Sequence, residues 1–389
     1  MRVGIDVSIL RRGVTSGTAV YVYNLVRALL NLDGRPDVVL YFGARGYDEG
    51  ERALARLEGL GATVVRGSGP WRWFPDGGWW LPLAPRVREF WSSVDVFHLG
   101  EFYFPTAPSA PCVATVHDLT PQRFPEYHQR SNRWLHGRRL HWIKRHAARI
   151  IVVSDATRDD LMEEGGIDPA RVERIYEARG HDGVEPAPVG AVLRRHDLTG
   201  LTYVLMVGTL EPRKNHARMI RAFEGLPERF SDLSLVLAGG WGWRCRPIRE
   251  AIEASPARAR IHVLGTVPDA DLMALYQRAR VFAFPSLYEG FGIPLLEAMA
   301  AGTPILTSNV ASLPEVAGDA ALCVDPRSVD ALRSGLERLL EDEPLRARLT
   351  QAGRQRERDF DWNRTAQQTL ETYRCAIAAG ARPPGRATP

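Results

Sequence analysis

Residues 281–302 read VFAFPSLYEGFGIPLLEAMAAG, and no other stretch narrows the choice of folds so far. The opening VFAFPS is a short apolar run of aromatic and branched side chains, the pattern of a strand buried on both faces of a parallel sheet. A turn with two glycines, Gly290 and Gly292, follows. Pro294 then pre-sets φ for the first turn of a helix, where its missing N–H costs nothing. Gly302 supplies the C-cap. Strand, glycine turn and helix start together aim free N–H groups and partial positive charge at one point, which suits a diphosphate. Two carboxylates frame it: Glu289 in the turn and Glu297 eight residues later, expected in the first helical turn. Carboxylates there can accept hydrogen bonds from vicinal hydroxyls of a ribose or hexose. The plainer alternative is a buried βα unit whose glutamates only complement the helix dipole.

Units of this kind recur along the chain. MRVGIDV, DVVLYFG, ATVVRG, VDVFHLG, CVATVHD, RIIVVSD and ARVERIYEAR read as strands of one half, and LTYVLMVG, LSLVLAGG, ARIHVLG, ARVFAFPS and TPILTS as strands of another. Between them GHDGVEPAPVG (180–190) has the Gly/Pro texture of a linker. The 389 residues are too many for one ordinary core. The expected fold class is therefore α/β, with two doubly wound Rossmann-like domains. The first takes residues 1–180, the linker 181–200 and the second domain 201–360; a helix over 361–380 and a Pro/Gly-rich tail, 381–389, close the chain.

Composition excludes several functions. No apolar run approaches the ~20 residues of a membrane span. The four cysteines (112, 245, 323, 375) show no metal or disulfide spacing, so no metal site is expected and a reducing, cytoplasmic setting is. A net charge of +4 is too mild to imply nucleic acid. No strand precedes a GxGxxG with an acid downstream, which disfavours a dinucleotide oxidoreductase. Two surface candidates stand out. WRWFPDGGWWLP (71–82) reads as a lid or core segment, or as an aromatic acceptor platform. Residues 129–149 hold seven Arg/Lys, no acid and two tryptophans, in a helix expected to break or soften at Gly137. Such a helix can lie on an anionic membrane surface, or can be a solvated basic face above a core-facing aromatic stripe.

Ligands of open α/β sheets sit at the carboxyl ends of strands. There the sequence places His98, His117, the glycine turn AGGWGW (238–243), and Arg213 with Lys214 in VGTLEPRKN. Of 50 basic residues only Lys144 and Lys214 are lysines, so a lysine kept at a strand end suggests a compact point charge. Two cations there can neutralise a departing diphosphate. Asp269-Ala270-Asp271 looks like a metal-binding DxD, but at a helix start acids cap and complement the dipole, and it is set aside.

FPSLYEGFGIPLLEAMAAGTPILTSNVASLPEVAGDAALCVDP (284–326) resembles the Glu-x7-Glu signature of the family 4 retaining glycosyltransferases, in wording closest to bacterial mannosyltransferases of polysaccharide and O-antigen assembly. The resemblance implies the GT-B fold, two facing domains with an interdomain cleft, and a last helix that crosses back onto the first domain. It implies Glu289 on the transferred sugar, Glu297 on the nucleotide ribose, and Gly290, Phe291 and Gly292 at the donor. His117, in TVHDLTPQRFPEYH, resembles the family's sugar-contacting histidine, with Asp118 ordering its loop. Gly17 resembles the N-terminal glycine loop, although the second glycine and the arginine of that loop are missing. Thr209 stands where many relatives carry an arginine, and Arg213 can substitute. The expected activity is metal-independent transfer of a hexose, with His117, Glu289 and Lys214 as catalytic residues and no cofactor. The donor is a nucleotide sugar, GDP-mannose above others, and the acceptor a saccharide or polyprenyl-linked saccharide. A hydrolysing sugar-nucleotide epimerase is disfavoured by the Glu-x7-Glu element. A non-catalytic nucleotide-sugar-binding protein or partner subunit of the same fold is the alternative.

Overall fold

The computed structural model of the protein describes residues 1–43, 47–66, 93–100, 110–180 and 185–380. They fall into two compact units, Met1–Ala178 with the chain from Asp361 onward, and Arg179–Phe360. Residues 71–82, the linker residues 181–184 and the tail 381–389 lie outside the described residues.

The first unit is built on β1 (Arg2–Asp6), β2 (Asp37–Phe42), β3 (Thr63–Arg66), β4 (Val96–Leu99), β5 (Cys112–Val116), β6 (Ala147–Val152) and β7 (Val172–Arg174). They form one sheet in the order β3-β2-β1-β4-β5-β6-β7, with every neighbouring pair parallel. The chain winds outward from β1 to β3 and returns to β4 on the other side of β1, so the winding reverses between β1 and β4. The helix Trp362–Gly380 packs on this sheet, where Tyr373 Oη lies 2.7 Å from His98 Nδ1.

The second unit repeats the plan with β8 (Thr202–Val207), β9 (Leu233–Ala238), β10 (Ile261–Gly265), β11 (Val281–Phe284), β12 (Ile305–Ser308) and β13 (Leu322–Val324). Their order is β10-β9-β8-β11-β12-β13, again all parallel. Winding reverses between β8 and β11. Alternate strand residues such as Val204, Met206, Leu235 and Leu237 pack beneath Met219, Ile220 and Phe223 of the helix His216–Glu224. Strands covered on both faces need near-continuous apolar runs, which is why these read so plainly in the sequence.

Three details differ from expectation. Gly137 does not interrupt its helix, which runs unbroken from Arg130 to His146. Its inward side chains Leu140 and Ile143 are buried, and that packing outweighs the roughly 1 kcal/mol preference against a helical glycine. Part of the stretch read as linker is ordered: Val189–Arg195 is a helix of the second unit, and Arg195 pairs with Asp271 at 2.6 Å. The helix after β11 begins at Ile293, so Glu297 stands one turn in.

Candidate active site

The switch point of the second sheet gathers the charged residues singled out above. After β8 the chain makes a short 3-10 turn, Pro212–Lys214, and Asn215 then takes a left-handed conformation (φ +64). Asn215 holds that geometry by donating from Nδ2 to the carbonyls of Pro285 (3.0 Å) and Pro326 (2.7 Å). Leu287 N donates to Arg213 O at 2.8 Å. The β8 and β11 loops are thus tied together through backbone groups, and this closes Arg213 and Lys214 onto the β11 turn.

There Lys214 Nζ donates to Glu289 Oε1 at 2.7 Å and Arg213 Nη1 lies 2.6 Å from Glu289 Oε2. Arg213 also donates to Tyr288 O (2.7 Å) and, through Nη2, to Glu211 Oε1 (2.8 Å). Side chains of Lys214, Arg213 and Glu289 are only 14%, 16% and 10% exposed, so water screens these pairs little. Burial opposes charge on Glu289, yet Arg213 and Lys214 outweigh it and hold the carboxyl down at about 2. For Lys214, burial prevails and lowers its pKa. His216, the next buried group, is kept neutral by burial and by Lys214, with a pKa lowered to about 4. The three residues assigned to sugar and diphosphate therefore form one cluster, and Glu211, unassigned in the sequence, belongs to it.

Glu297 sits apart from this cluster, its Oε2 accepting a hydrogen bond from Tyr276 at 2.9 Å. Tyr276 is fully buried, so the contact fixes the rotamer of the carboxylate. Gly292 lies at φ +116 ahead of the helix, a conformation that favours glycine. The AGGWGW turn is stitched to the same region: a Cβ on Gly239 would lie 2.0 Å from Gly208 O, so two strand-end loops can approach only because this residue is glycine. Asp271 of the DxD-like triplet is engaged by Arg195 and by His196 at 3.0 Å, which hold its pKa down against burial.

The first unit places a second group of residues at its own switch point. His117 follows β5 and points Nδ1 at Glu177 Oε1, 2.9 Å away. Tyr21 meets its ring edge-on, with centroids 4.7 Å apart. Asp118 Oδ1 accepts from Thr120 N at 2.9 Å, which orders the loop as an Asx turn. Gly17 is the first residue of the helix Gly17–Asn31, whose cap is Ser16, accepting from Ala19 N. The space around Gly17 is open and no steric requirement for glycine is evident. His98 is different: Nε2 lies 2.8 Å from Thr115 Oγ1, Nδ1 is taken by Tyr373, and burial lowers its pKa to about 3. It is a structural, neutral histidine. Asp6, Tyr21, His98, Thr115, His117 and Arg139 line one cavity of this unit. Asp6, at the end of β1, is fully buried and pushed up to about 6 by that burial. Sequence reading passed over it because an acid at a strand end has no local pattern.

Comparison with known proteins agrees with this layout. The model of "Glycosyltransferase Family 4" matches residues 15–178 and that of "Glycosyl transferases group 1" residues 195–356. The O-antigen chain mannosyltransferase B of Escherichia coli is 36% identical over 299 residues, covering 75% of this chain and 78% of that protein. A glycogen synthase of Mycobacterium tuberculosis is 30% identical over 315 residues, 78% of this chain and 71% of that one. Among solved structures, Anabaena Alr3699/HepE in complex with UDP and glucose superposes with a TM-score of 0.75 at 17% identity, covering 96% of this chain and 99% of that chain. WaaG, a glycosyltransferase involved in lipopolysaccharide biosynthesis, gives 0.70 at 16% identity over 95% and 99% of the two chains. With two glycosyltransferase models matched in succession and a mannosyltransferase relative along most of its length, the chain belongs to the family 4 glycosyltransferases and has the GT-B fold.

Proposed function

We propose that this glycosyltransferase is a retaining mannosyltransferase that uses GDP-mannose and glycosylates a saccharide or lipid-linked saccharide. The observation that carries the reading is the buried Arg213–Glu289–Lys214 cluster at the β8/β11 switch point, followed by a helix that carries Glu297 one turn from its start. Mannosyltransferase relatives in Escherichia coli support the sugar, and the UDP and glucose held by a structural neighbour support a nucleotide-sugar donor. No observation favours a non-catalytic role.

In this reading Glu297 binds ribose hydroxyls, and N–H groups of the Gly290–Gly292 turn and the following helix start meet the diphosphate. Lys214 has three N–H donors and spends one on Glu289, so it can add a phosphate contact without leaving its partner. Arg213, committed to Glu211, Tyr288 and Glu289, acts chiefly as a fixed charge. Glu289 is held ionised and oriented, as an acceptor for sugar hydroxyls must be. The carbon–oxygen bond to the diphosphate breaks as negative charge builds on it, and the preorganised cations stabilise that charge. Attack by the acceptor hydroxyl on the same face, its proton passing to the leaving phosphate, retains the configuration. Such a site needs no metal, because Arg213 and Lys214 supply the countercharge. On the first unit we assign His117 to the transferred sugar and Gly17 to the glycine loop.

We further infer peripheral contact with an anionic membrane. Arg130, Arg133, Trp134, Arg138, His141 and Arg145 are exposed along one side of the helix Arg130–His146, and Trp134 is 60% exposed with Arg138 over its ring. Arg139 and Trp142 turn inward instead. Among the described residues no helix is long and apolar enough to cross a membrane.

Nucleotide release from GDP-mannose, compared with UDP-glucose and ADP-glucose, tests the donor assignment. Release from GDP-mannose should be fastest, and be lost in Glu289→Ala. Equal or faster release from UDP-glucose would overturn it.

A further inference from the structure

We propose that Glu177 is the positioning residue for His117: it takes the Nδ1 proton and so determines that Nε2 is the nitrogen presented to substrate. The proposal rests on the assignment of His117 to the transferred sugar.

The geometry begins with the two partners. His117 Nδ1 and Glu177 Oε1 are 2.9 Å apart, and their side chains are 17% and 5% exposed. A carboxylate can only accept, so the proton of this hydrogen bond belongs to Nδ1. The neutral ring then carries its lone pair on Nε2. Among the described residues Nε2 of His117 has no hydrogen-bond partner, and the side chain keeps some access to solvent. His98 marks the contrast, since both of its nitrogens are taken within the fold and it is 3% exposed. Of the two histidines at these strand ends, only His117 has a nitrogen to offer.

Each side of the pair is held by independent elements. The ring of His117 meets Tyr21 at an interplanar angle of 80°, and Tyr21 is fixed in turn by a 3.0 Å hydrogen bond between its hydroxyl and Thr115 Oγ1. The backbone of His117 receives Thr157 Oγ1 at its carbonyl, 3.4 Å away. On the other side, Ile175 N donates to Val152 O at 2.9 Å and extends the β7 register toward Glu177. Thr365 of the C-terminal helix donates to Tyr176 O at 2.8 Å, immediately before Glu177. A pair pinned from both backbones can fix a tautomer and a ring direction, which a flexible surface pair cannot.

The test combines a spectroscopic readout with kinetics. In ¹⁵N-histidine spectra of the full-length protein, His117 should be the Nδ1–H tautomer, and Glu177→Ala should lose that preference. Glu177→Ala should lower kcat by about tenfold to a hundredfold with the donor KM nearly unchanged. Glu177→Gln, which keeps an acceptor oxygen and the packing volume but not the charge, should keep the tautomer and recover part of kcat. The double variant His117→Ala/Glu177→Ala should be no slower than His117→Ala. If His117→Ala is impaired while Glu177→Ala turns over like the parent, Glu177 does not position His117 and the proposal is overturned. An Nε2–H tautomer in the parent would overturn it as well. If His117→Ala itself turns over like the parent, the assignment of His117 to the sugar fails instead.

Discussion

Lys214 Nζ stands 2.7 Å from Glu289 Oε1, although 75 residues separate them in the chain. They follow the carboxyl ends of adjacent parallel strands, β8 and β11, and the hydrogen bonds from Asn215 to Pro285 O and from Leu287 N to Arg213 O close the two loops on each other. A cation and a carboxylate read from separate motifs thus hold each other at the switch point of the second sheet.

Lys214→Ala and Glu297→Ala should separate charge stabilisation from donor binding. Removing Lys214 takes away a cation that matters most as negative charge builds, so kcat should fall more than donor affinity. In the proposed site, removing Glu297 takes away ribose hydrogen bonds that are similar in ground and transition states, so donor affinity should suffer more. A charge-assisted hydrogen bond is worth roughly 1.5–3 kcal/mol, so each loss should be about ten- to a hundredfold in its own parameter. Lys214→Arg should not fully rescue, because a planar guanidinium replaces a compact charge in a buried place already holding Arg213. Steady-state kinetics checks all three; a Lys214→Arg enzyme equal to the parent would reduce Lys214 to a generic cation.

Glu289 also predicts a pH-dependent stability. Its folded pKa, about 2, lies below the ordinary value of 4.5. The proton therefore binds the unfolded chain more readily, and the stabilisation is fully present above pH 4.5 and lost as pH falls toward 2. The shift corresponds to on the order of 3 kcal/mol. Urea unfolding of the parent and of Glu289→Gln should differ most near neutral pH and converge as pH approaches 2. A difference that stays constant down the acid range would show that the pair does not couple to protonation.

The exposed basic stripe of the helix Arg130–His146 should give weak, salt-sensitive adhesion to anionic vesicles. Each basic residue near such a surface contributes about 1 kcal/mol. Arg133→Glu/Arg138→Glu should abolish cosedimentation at low salt, and Trp134→Ala should weaken it without changing its salt dependence. Equal sedimentation with neutral and anionic vesicles would leave the stripe as a solvated face.

What could be read from the chain, and what could not, follows from the range of the interactions. The strand–turn–helix at 281–302 was legible because its backbone signals are local: Pro294 fixes φ at the helix start, and Gly292 and Gly302 both adopt the positive φ that glycine alone takes at little cost. The alternation of strands and helices was legible because strands buried on both faces must be apolar throughout. The side-chain pairings were not. Glu177 meets His117 across 60 positions, and its identity as a partner depends on β7 lying two strands from β5. Glu211 lies beside Arg213 in sequence, yet only the folded turn shows that it shares the cation with Glu289. Gly137 misled in the other direction, since its local propensity is overridden by the packing of Leu140 and Ile143.

The donor assignment is tested most directly by nucleotide-dependent thermal stability, because a ligand that binds only the folded chain raises Tm by mass action. At equal concentration GDP should raise Tm more than UDP or ADP, and Glu297→Ala should lose most of the GDP shift. A clear preference for UDP would contradict the mannose donor while leaving the GT-B fold intact.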